Sequence, residues 1–213
     1  MAKTAPFDEH PDRYEQWFVD NWYVYRSELR AVEALIPARG RGVEIGMGSG
    51  RFAEPLAITD GVEPSASMRA LAAGRGLRAR DGVAEALPLE DESYDFALMV
   101  TTICFVDDPG AAFREIGRVL REGGSIIVGF VDGSSPLGKL YQSRKERSVF
   151  YGAATFFSTE EILALLQESG FRRTRVVQTV FGSLPEITTI QEPRDGWGVG
   201  GFVAIRAAKR PAP

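Results

Sequence analysis

Three glycines at alternate positions form the pattern with the most chemical content in this sequence. Gly46, Gly48 and Gly50 follow the short apolar run Val43–Ile45, which contains a charged residue, Glu44. A glycine turn between a strand and a helix lets a ligand approach the backbone closely, and it directs free N–H groups of the helix end toward that ligand. The pattern therefore predicts a turn that binds a nucleotide-type cofactor.

An acidic residue after the turn adds a second element to this predicted site. Glu63 lies at the end of the predicted strand Asp60–Glu63, where a carboxylate can accept hydrogen bonds from both hydroxyls of a ribose. The dinucleotide pattern G-x-G-x-x-G needs a further glycine where this chain has Arg51. The sequence thus argues against an NAD(P)-dependent oxidoreductase, which stays as an alternative because Glu63 would also suit it.

Alternating strands and helices must position these residues. The nearly continuous apolar runs Tyr94–Val100 and Ser125–Val131 are typical of central strands in a parallel sheet. Between them, Asp108 and Pro109 predict the start of a helix, and Gly123–Gly124 its end. Further strands are expected at 43–45, 60–63, 77–81, 175–181 and 201–207, and further helices at 12–36, 51–57, 65–74 and 158–169.

This alternation predicts an α/β fold with an open, doubly wound, mostly parallel sheet of seven strands and a cover of helices and loops. The 213 residues favour one domain. We divide it into an aromatic helical cover (1–40), a cofactor-binding core (41–131), an inserted substrate cover (132–157), a C-terminal helix with strands (158–207) and a tail (208–213).

The glycine pattern and the segments that follow it resemble the class I S-adenosylmethionine-dependent methyltransferases. E-x-G-x-G-x-G looks like motif I of that family, and GVEPSASM, DGVAEALPLEDESYDFALMV and FREIGRVLREGGSIIVGFV follow in the family's order. The resemblance extends from Phe7 to about Lys209 and is strongest for the small-molecule type 11 subset, which is related to the quinone-biosynthesis methyltransferases. It implies a Rossmann-like enzyme that transfers a methyl group from S-adenosylmethionine to a small-molecule acceptor and releases S-adenosylhomocysteine.

The resemblance also implies which residues bind the cofactor. The three glycines would hold its methionyl part, Glu44 would orient its amino group, and Glu63 would bind the ribose. Many relatives have an aspartate at the position of Val83, so we expect backbone groups to contact the adenine amine here. The full expected set is Glu44, Gly46, Gly48, Gly50, Glu63, Pro64, Ser65, Met68, Gly82, Val83, Ala84, Glu85 and Thr101.

Methyl transfer from a sulfonium requires no catalytic triad and no pair of carboxylates. Positioning of the reactants and exclusion of water supply much of the acceleration. A general base would help with a weakly acidic acceptor. The candidates for catalytic contact are His10, Tyr14, Thr102 and Tyr151, and Tyr23, Tyr25 and Asp132 are further candidate bases. The acceptor atom (O, N, C or S) and the oligomeric state stay open.

Composition argues against several other functions. Lys plus Arg number 25 and Asp plus Glu 29, so the formal net charge is −4 and gives no positive field for nucleic acid. A single cysteine, Cys104, and a single histidine, His10, make a metal site improbable. No run approaches the ~20 apolar residues of a membrane span, and no secretion signal is recognisable. We therefore expect a cytoplasmic protein without metal, nucleic-acid partner or membrane span.

Two interpretations stay open at this stage. The basic stretch Lys139 to Arg147 is either a solvated helix face or an electropositive lid over an acidic substrate. The chain is also compatible with a non-catalytic methyltransferase-like module that binds the cofactor or a partner.

Overall fold

The computed structural model describes residues 3–211, in which helices and strands alternate around one sheet. The strands are β1 (Gly42–Ile45), β2 (Asp60–Val62), β3 (Arg78–Arg80), β4 (Tyr94–Val100), β5 (Leu120–Val131), β6 (Phe171–Thr179), β7 (Arg194–Asp195) and β8 (Phe202–Lys209). The α-helices are α1 (Ala5–Glu9), α2 (Pro11–Asp20), α3 (Trp22–Glu33), α4 (Ala66–Gly74), α5 (Pro109–Val119), α6 (Pro136–Ser143) and α7 (Thr159–Glu168). Short 3-10 turns lie at Ile103–Phe105, Lys145–Arg147, Tyr151–Ala153 and Leu184–Glu186.

The sheet is open and mostly parallel, with the strand order β3-β2-β1-β4-β5-β8-β6-β7. Strands β1 to β5 pair in parallel, whereas β8 runs antiparallel between β5 and β6. This confirms the predicted doubly wound α/β fold. The predicted number of seven strands is wrong, because the described residues form eight. The additional strand, Arg194–Asp195, is too short to leave a hydrophobic pattern and is held by pairing with Val177 and Gln178.

The direction of winding reverses between β1 and β4, and this reversal determines where a ligand can bind. From β1 the chain adds β2 and β3 on one side, and then adds β4 and β5 on the other. Open α/β sheets bind ligands at the carboxyl ends of the strands at such a reversal. Ile45 pairs with Val62, so that Gly46 and Glu63 follow side by side at this edge.

The two faces of the sheet bury separate apolar clusters, as the continuous apolar runs predict. In β4, Met99 packs with the α5 side chain Ile116 on one face, and Leu98 packs with the α3 side chain Val32 on the other. All four side chains are fully buried. Both faces of the central strands are therefore covered, and the carboxyl edge is left to form the site.

The predicted N-terminal helix 12–36 is wrong in its extent, because the chain forms α2 and α3 with a break at Asn21. The backbone of Asn21 has φ −115° and ψ 39°, which is not helical, and its side-chain amide donates to Trp17 O at 3.0 Å. Asparagine side chains compete with helical backbone bonds in this way. Helix α3 ends at Glu33, before Pro37.

The predicted helix 51–57 is also wrong, since these residues form a series of turns. Glu54 N–H bonds to Gly50 O at 3.0 Å, but Ala57 adopts a φ of +56°. Pro55 provides a physical reason, because proline has no N–H and disfavours helical geometry in the residue before it.

Other element ends differ by a few residues. Helix α5 ends at Val119 rather than at Gly123–Gly124, because Leu120 already pairs with Tyr94 and the glycines lie in a bulge of β5. Strand β8 includes residues 208 and 209 of the predicted tail, whereas residues 212 and 213 lie outside the described residues. The helix starts are confirmed: Asp108 caps α5, and Ser158 forms a capping box with α7.

Candidate functional site

A cavity of about 1100 Å³ lies at the carboxyl ends of β1, β2 and β4. Its wall combines the glycine turn and the end of β2 with residues of helices α1 to α3 and of the segment 141–151. Sites for one small ligand usually measure ~300–1,000 Å³. The cavity is therefore large enough for two small molecules side by side.

The glycine turn after β1 adopts a conformation that other residues rarely adopt. Gly46, Gly48 and Gly50 have φ values of +69°, +56° and +87°. A Cβ on Gly46 would overlap the Thr102 side chain, and one on Gly48 would lie 2.8 Å from the Tyr14 hydroxyl. Glycine is therefore required both by the backbone conformation and by the close approach of neighbouring side chains.

Glu63 lies directly beside this turn and its carboxylate is fixed by the backbone. It is 7% exposed; its Oε2 accepts a hydrogen bond from Gly48 N–H, and its Oε1 accepts one from Ser65 N–H, both at 2.8 Å. Burial raises the pKa of Glu63, and the two N–H bonds act in the opposite direction. A carboxylate has about four acceptor positions, so each oxygen can accept a further hydrogen bond from a ligand hydroxyl.

Thr102, just after the end of β4, is hydrogen-bonded to the glycine turn. Thr102 Oγ1 lies 3.1 Å from Gly46 O and 3.0 Å from Val100 O. Thr101, before it, has a φ of +50°, which is unusual for a β-branched residue. Strained backbone of this kind clusters at functional sites, where the surrounding structure holds it in place.

Two acidic residues connect the N-terminal helices to the side of the cavity that is formed by the glycine turn and the start of α4. Asp8 accepts hydrogen bonds from Ser65 Oγ at 2.6 Å and Ser67 N–H at 3.1 Å, and the bond from Ser65 is the main cause of its lowered pKa. Glu15 of α2 binds the side chains of three residues near the turn, Ser49, Arg51 and Arg75. Helix α1 is thus held against the start of α4, and helix α2 against the glycine turn.

An aromatic wall joins these helices to the segment after β5. We use this term for Phe7, Tyr14, Phe105, Tyr141, Phe150 and Tyr151, all of which line the cavity. Ring centroids lie 5.3 Å apart for Phe7 and Phe150, and 5.1 Å apart for Tyr141 and Tyr151. The contact between Phe7 and Phe150 brings the N-terminal helix onto the region predicted as an inserted cover.

The structure brings most of the sequence-predicted site residues together around the cavity. The lining includes Gly46, Gly48, Glu63, Pro64, Met68, Gly82, Val83, Ala84, Glu85 and Thr101, with the catalytic candidates Tyr14, Thr102 and Tyr151. It does not include Glu44, Gly50, Ser65 or His10.

These four residues lie elsewhere for identifiable reasons. His10 is exposed at the junction of α1 and α2. The Ser65 hydroxyl accepts from Met68 N–H at the start of α4 and donates to Asp8. A Cβ on Gly50 would overlap Leu77, away from the cavity. Glu44 is 1% exposed and burial raises its pKa; its Oε2 has no hydrogen-bond partner in the described part of the chain.

None of the candidate bases predicted from the sequence is well placed to remove a proton in the cavity, because each is exposed, already hydrogen-bonded or a neutral phenol. Tyr23 is 44% exposed, Tyr25 donates to Arg51 O at 2.5 Å, and Asp132 accepts hydrogen bonds from Ser134 N–H and Thr159 Oγ1 at 2.8 Å. Burial raises the pKa of both Tyr14 and Tyr151. These two phenols therefore remain neutral near pH 7 and suit hydrogen bonding better than proton abstraction.

Sequence reasoning missed a carboxylate in the cavity, Glu28. It lies on α3, lines the cavity and is 4% exposed, and burial raises its pKa to about 8. Its position was visible in the sequence as a charged residue among buried apolar positions of the same helix, Val24, Leu29 and Val32. A charged residue on an apolar helix face is unusual unless it has a partner.

Different residues of the basic stretch Lys139 to Arg147 fit the two interpretations, a solvated helix face and an electropositive lid. Arg144 and Arg147 line the cavity and are exposed, whereas Lys139 is exposed and lies outside the lining.

Within residues 3–211, no group of three or more His, Cys, Asp and Glu residues could hold a metal ion. No helix in the same range is long and apolar enough to cross a membrane.

Comparison with known proteins agrees with this geometry. The type 11 family profile, described as a methyltransferase domain, matches residues 43–128. A crystal structure from Thermotoga maritima, described as a SAM-dependent methyltransferase and possible histamine N-methyltransferase, is 52% identical, with a TM-score of 0.95 over 97% of this chain and 100% of that chain.

Two curated sequences are also similar. An uncharacterized protein of Methanocaldococcus jannaschii is 41% identical over 95% of this chain and 98% of its own length. A demethylmenaquinone methyltransferase of Roseiflexus castenholzii is 39% identical over 44% of this chain and 43% of its own length. By its glycine turn, its fold and its similarity over nearly the whole chain, this protein belongs to the S-adenosylmethionine-dependent methyltransferases of the type 11 family.

Proposed function

We propose that this protein transfers the methyl group of S-adenosylmethionine to a small-molecule acceptor. The observation that carries the proposal is one continuous cavity of about 1100 Å³, which extends from the glycine turn and Glu63 to the aromatic wall. It has room for the cofactor and for a second small compound. A large part of its lining comes from helices α1 to α3 and the segment 141–151, which would enclose that compound.

The residues at the carboxyl edge fit this cofactor. Gly46 and Gly48 leave the backbone open to its methionyl part, and the remaining acceptor positions of Glu63 suit the two ribose hydroxyls. Pro64, Met68 and the backbone of 82–85 would contact the adenine side, and Thr101 the methionyl side. We assign Glu44, Gly50 and Ser65 to the support of the turn and of α4, because they lie outside the lining.

When bound, S-adenosylmethionine would supply a methyl group on a positively charged sulfur, and the acceptor would take this methyl carbon by in-line displacement while the electron pair of the broken carbon–sulfur bond stays on sulfur. The chain's contribution is to position the acceptor and to exclude water. The aromatic wall would contribute to this exclusion, because its rings give the cavity an apolar lining in which Tyr14 and Phe150 lie 6.1 Å apart between centroids.

Calorimetric titration tests the cofactor assignment. We expect S-adenosylmethionine and S-adenosylhomocysteine to bind, and NAD and NADP to fail at the same concentrations. Binding of a dinucleotide alone would support the oxidoreductase alternative, and absence of all binding would refute the proposal. Mass spectrometry of acceptor candidates incubated with S-adenosylmethionine then detects added methyl groups. Histamine is the first candidate, because of the description of the Thermotoga relative. Cofactor binding without transfer to any acceptor would instead favour the non-catalytic module.

A further inference from the structure

The carboxyl group of Glu28 is a buried polar group in the part of the cavity formed by helix α3. Its side chain is 4% exposed and it lines the cavity, so its remaining exposed surface faces that space. Among the described residues it forms no hydrogen bond and no ion pair, in contrast to Glu15 and Glu63 in the same region. Buried carboxylates are almost always paired, because an unpaired charge away from water is costly.

Within residues 3–211, Glu28 has no ion pair with a lysine or an arginine. Its pKa is raised by burial alone, with no contribution from a lysine or an arginine. The phenols of Tyr141 and Tyr151 line the same cavity; burial is the main cause of their raised pKa values, and an ionised Glu28 acts in the same direction. Each phenol has a single proton to donate, and neither bonds to Glu28 in the structure. The missing partner is therefore a group that enters the cavity from outside.

The aromatic rings that line the same cavity as Glu28 indicate the chemistry of that group. Tyr141 and Tyr151 stack at 5.1 Å, and Trp17 also lines the cavity. Aromatic faces attract cations, and a carboxylate among aromatic rings is a common arrangement for an amine or another basic nitrogen. Glu28, Tyr151 and Tyr14 line the same cavity, and the Tyr14 hydroxyl reaches Gly48, so that Glu28 borders the same space as the glycine turn.

We propose that the methyl acceptor carries a basic nitrogen, and that Glu28 binds this nitrogen among the aromatic rings of the cavity. This inference rests on the proposed function, because it names the substrate class of the same cavity. A carboxylate and a protonated nitrogen neutralise each other in the dry part of the site, and an ammonium also supplies the hydrogen-bond donors that the Glu28 oxygens lack.

Two exposed arginines in the cavity lining argue against a positively charged acceptor. Arg144 and Arg147 line the cavity and would attract an anion. They are exposed, however, and water and salt screen their charges, whereas Glu28 is buried. The buried carboxyl of Glu28, which gives up its proton when a basic nitrogen binds beside it, therefore contributes more to the selection of a small compound than the screened arginines do.

Three probes with the same ring and different polar ends test the inference. Phenethylamine, phenethyl alcohol and phenylacetate are titrated, together with histamine, into protein saturated with S-adenosylhomocysteine. We expect the two amines to bind about 10- to 100-fold more tightly than the alcohol, which corresponds to a charge-assisted hydrogen bond. Preference for phenylacetate, equal binding of alcohol and amine, or failure of both amines to bind would overturn the inference.

The variant Glu28→Gln keeps the shape of the side chain and removes its charge. We expect it to lose the preference for the amines while it binds S-adenosylhomocysteine and phenethyl alcohol as the unmodified protein does. Glu33→Gln, on an exposed position of the same helix, is the matched control and should retain the preference. Retention of the amine preference in Glu28→Gln would assign Glu28 a structural role. If the unmodified protein fails to bind S-adenosylhomocysteine, the proposed function fails first, and the two results are therefore distinguishable.

Discussion

The Glu63 carboxylate accepts a hydrogen bond from the backbone N–H of Gly48 at 2.8 Å, which joins the end of β2 to the centre of the glycine turn. Its other oxygen accepts from Ser65 N–H, next to the first turn of α4. One buried side chain thus orders two loops that meet at the cavity. Any ligand that contacts Glu63 therefore binds a group whose position is already fixed, and little further ordering is needed on binding.

This relationship predicts the effect of Glu63→Gln. An amide can keep the acceptor role at one oxygen only, and its NH₂ group would face a backbone N–H. We expect the affinity for S-adenosylhomocysteine, measured by calorimetry, to fall by about 10- to 100-fold, the usual loss for a charge-assisted partner. Asp60→Asn, at the other end of β2 and outside the lining, should leave the affinity unchanged. Unchanged affinity in Glu63→Gln would refute the ribose assignment.

A second prediction separates backbone strain from close packing in the glycine turn. Gly46 and Gly76 both have a positive φ, but a Cβ on Gly46 would overlap Thr102, whereas one on Gly76 would meet nothing within 4 Å. We expect Gly76→Ala to lower the free energy of unfolding by about 1 kcal/mol, the strain of a left-handed alanine. Gly46→Ala should lose a further ~1–3 kcal/mol from overpacking and should weaken cofactor binding. Denaturant unfolding of the two variants measures the difference, and equal losses would contradict it.

The sequence allowed prediction of those parts of the fold that depend on local pattern. The continuous apolar runs of β4 and β5 identified the central strands, and Asp108 and Ser158 identified helix starts, because capping uses residues close in sequence. Strand β7 was missed because two residues, Arg194–Asp195, are held by pairing with β6 rather than by their own pattern.

The same distinction applies to the site. Gly46, Gly48 and Glu63 could be predicted because their spacing alone encodes a turn and a strand end. Glu28 was missed because its importance depends on which face of α3 meets the cavity, a tertiary relationship. The predicted contact of Ser65 with the cofactor overlooked its two hydrogen bonds, one of which joins it to Asp8, a residue distant in sequence.

A third prediction concerns the pH dependence of stability. Burial raises the pKa of Glu28 to about 8 in the folded state, above its ordinary value of 4.5. The folded protein therefore retains a proton that the unfolded chain releases, and Glu28 reduces stability progressively as pH rises from about 4.5 to about 8. Below this range both states are protonated and the effect is absent.

Glu28→Gln removes this titration. We expect the variant to gain stability relative to the unmodified protein as pH rises from 5 to 8.5, by on the order of 3 kcal/mol, since one pKa unit corresponds to about 1.4 kcal/mol. Denaturant unfolding at both pH values measures the change, with Glu33→Gln as the exposed control. A difference that does not depend on pH would contradict the burial of an ionisable Glu28.

The last prediction concerns Glu15, which connects α2 with the glycine turn. Its carboxylate binds Ser49, Arg51 and Arg75, and the hydrogen bonds from these three side chains lower its pKa against the opposing effect of burial. Glu15→Ala removes all three contacts; Arg51 loses the carboxylate that it pairs with, whereas Arg75 keeps its ion pair with Glu54. We expect a loss of about 1–3 kcal/mol of stability, because breaking a partly buried network leaves polar groups without their partner.

The more informative readout for Glu15→Ala is local. If Glu15 fastens the helix over the cavity, amide hydrogen exchange should accelerate in α1 and α2 while the central strand β5 keeps its protection. The affinity for S-adenosylhomocysteine should fall as well, because part of the binding energy must then order the helices. Gln16→Ala, on the exposed face of the same helix, loses one surface hydrogen bond to Asp20 and should show neither change. Uniform acceleration throughout the chain would indicate that Glu15 supports global stability rather than the closure of the cavity.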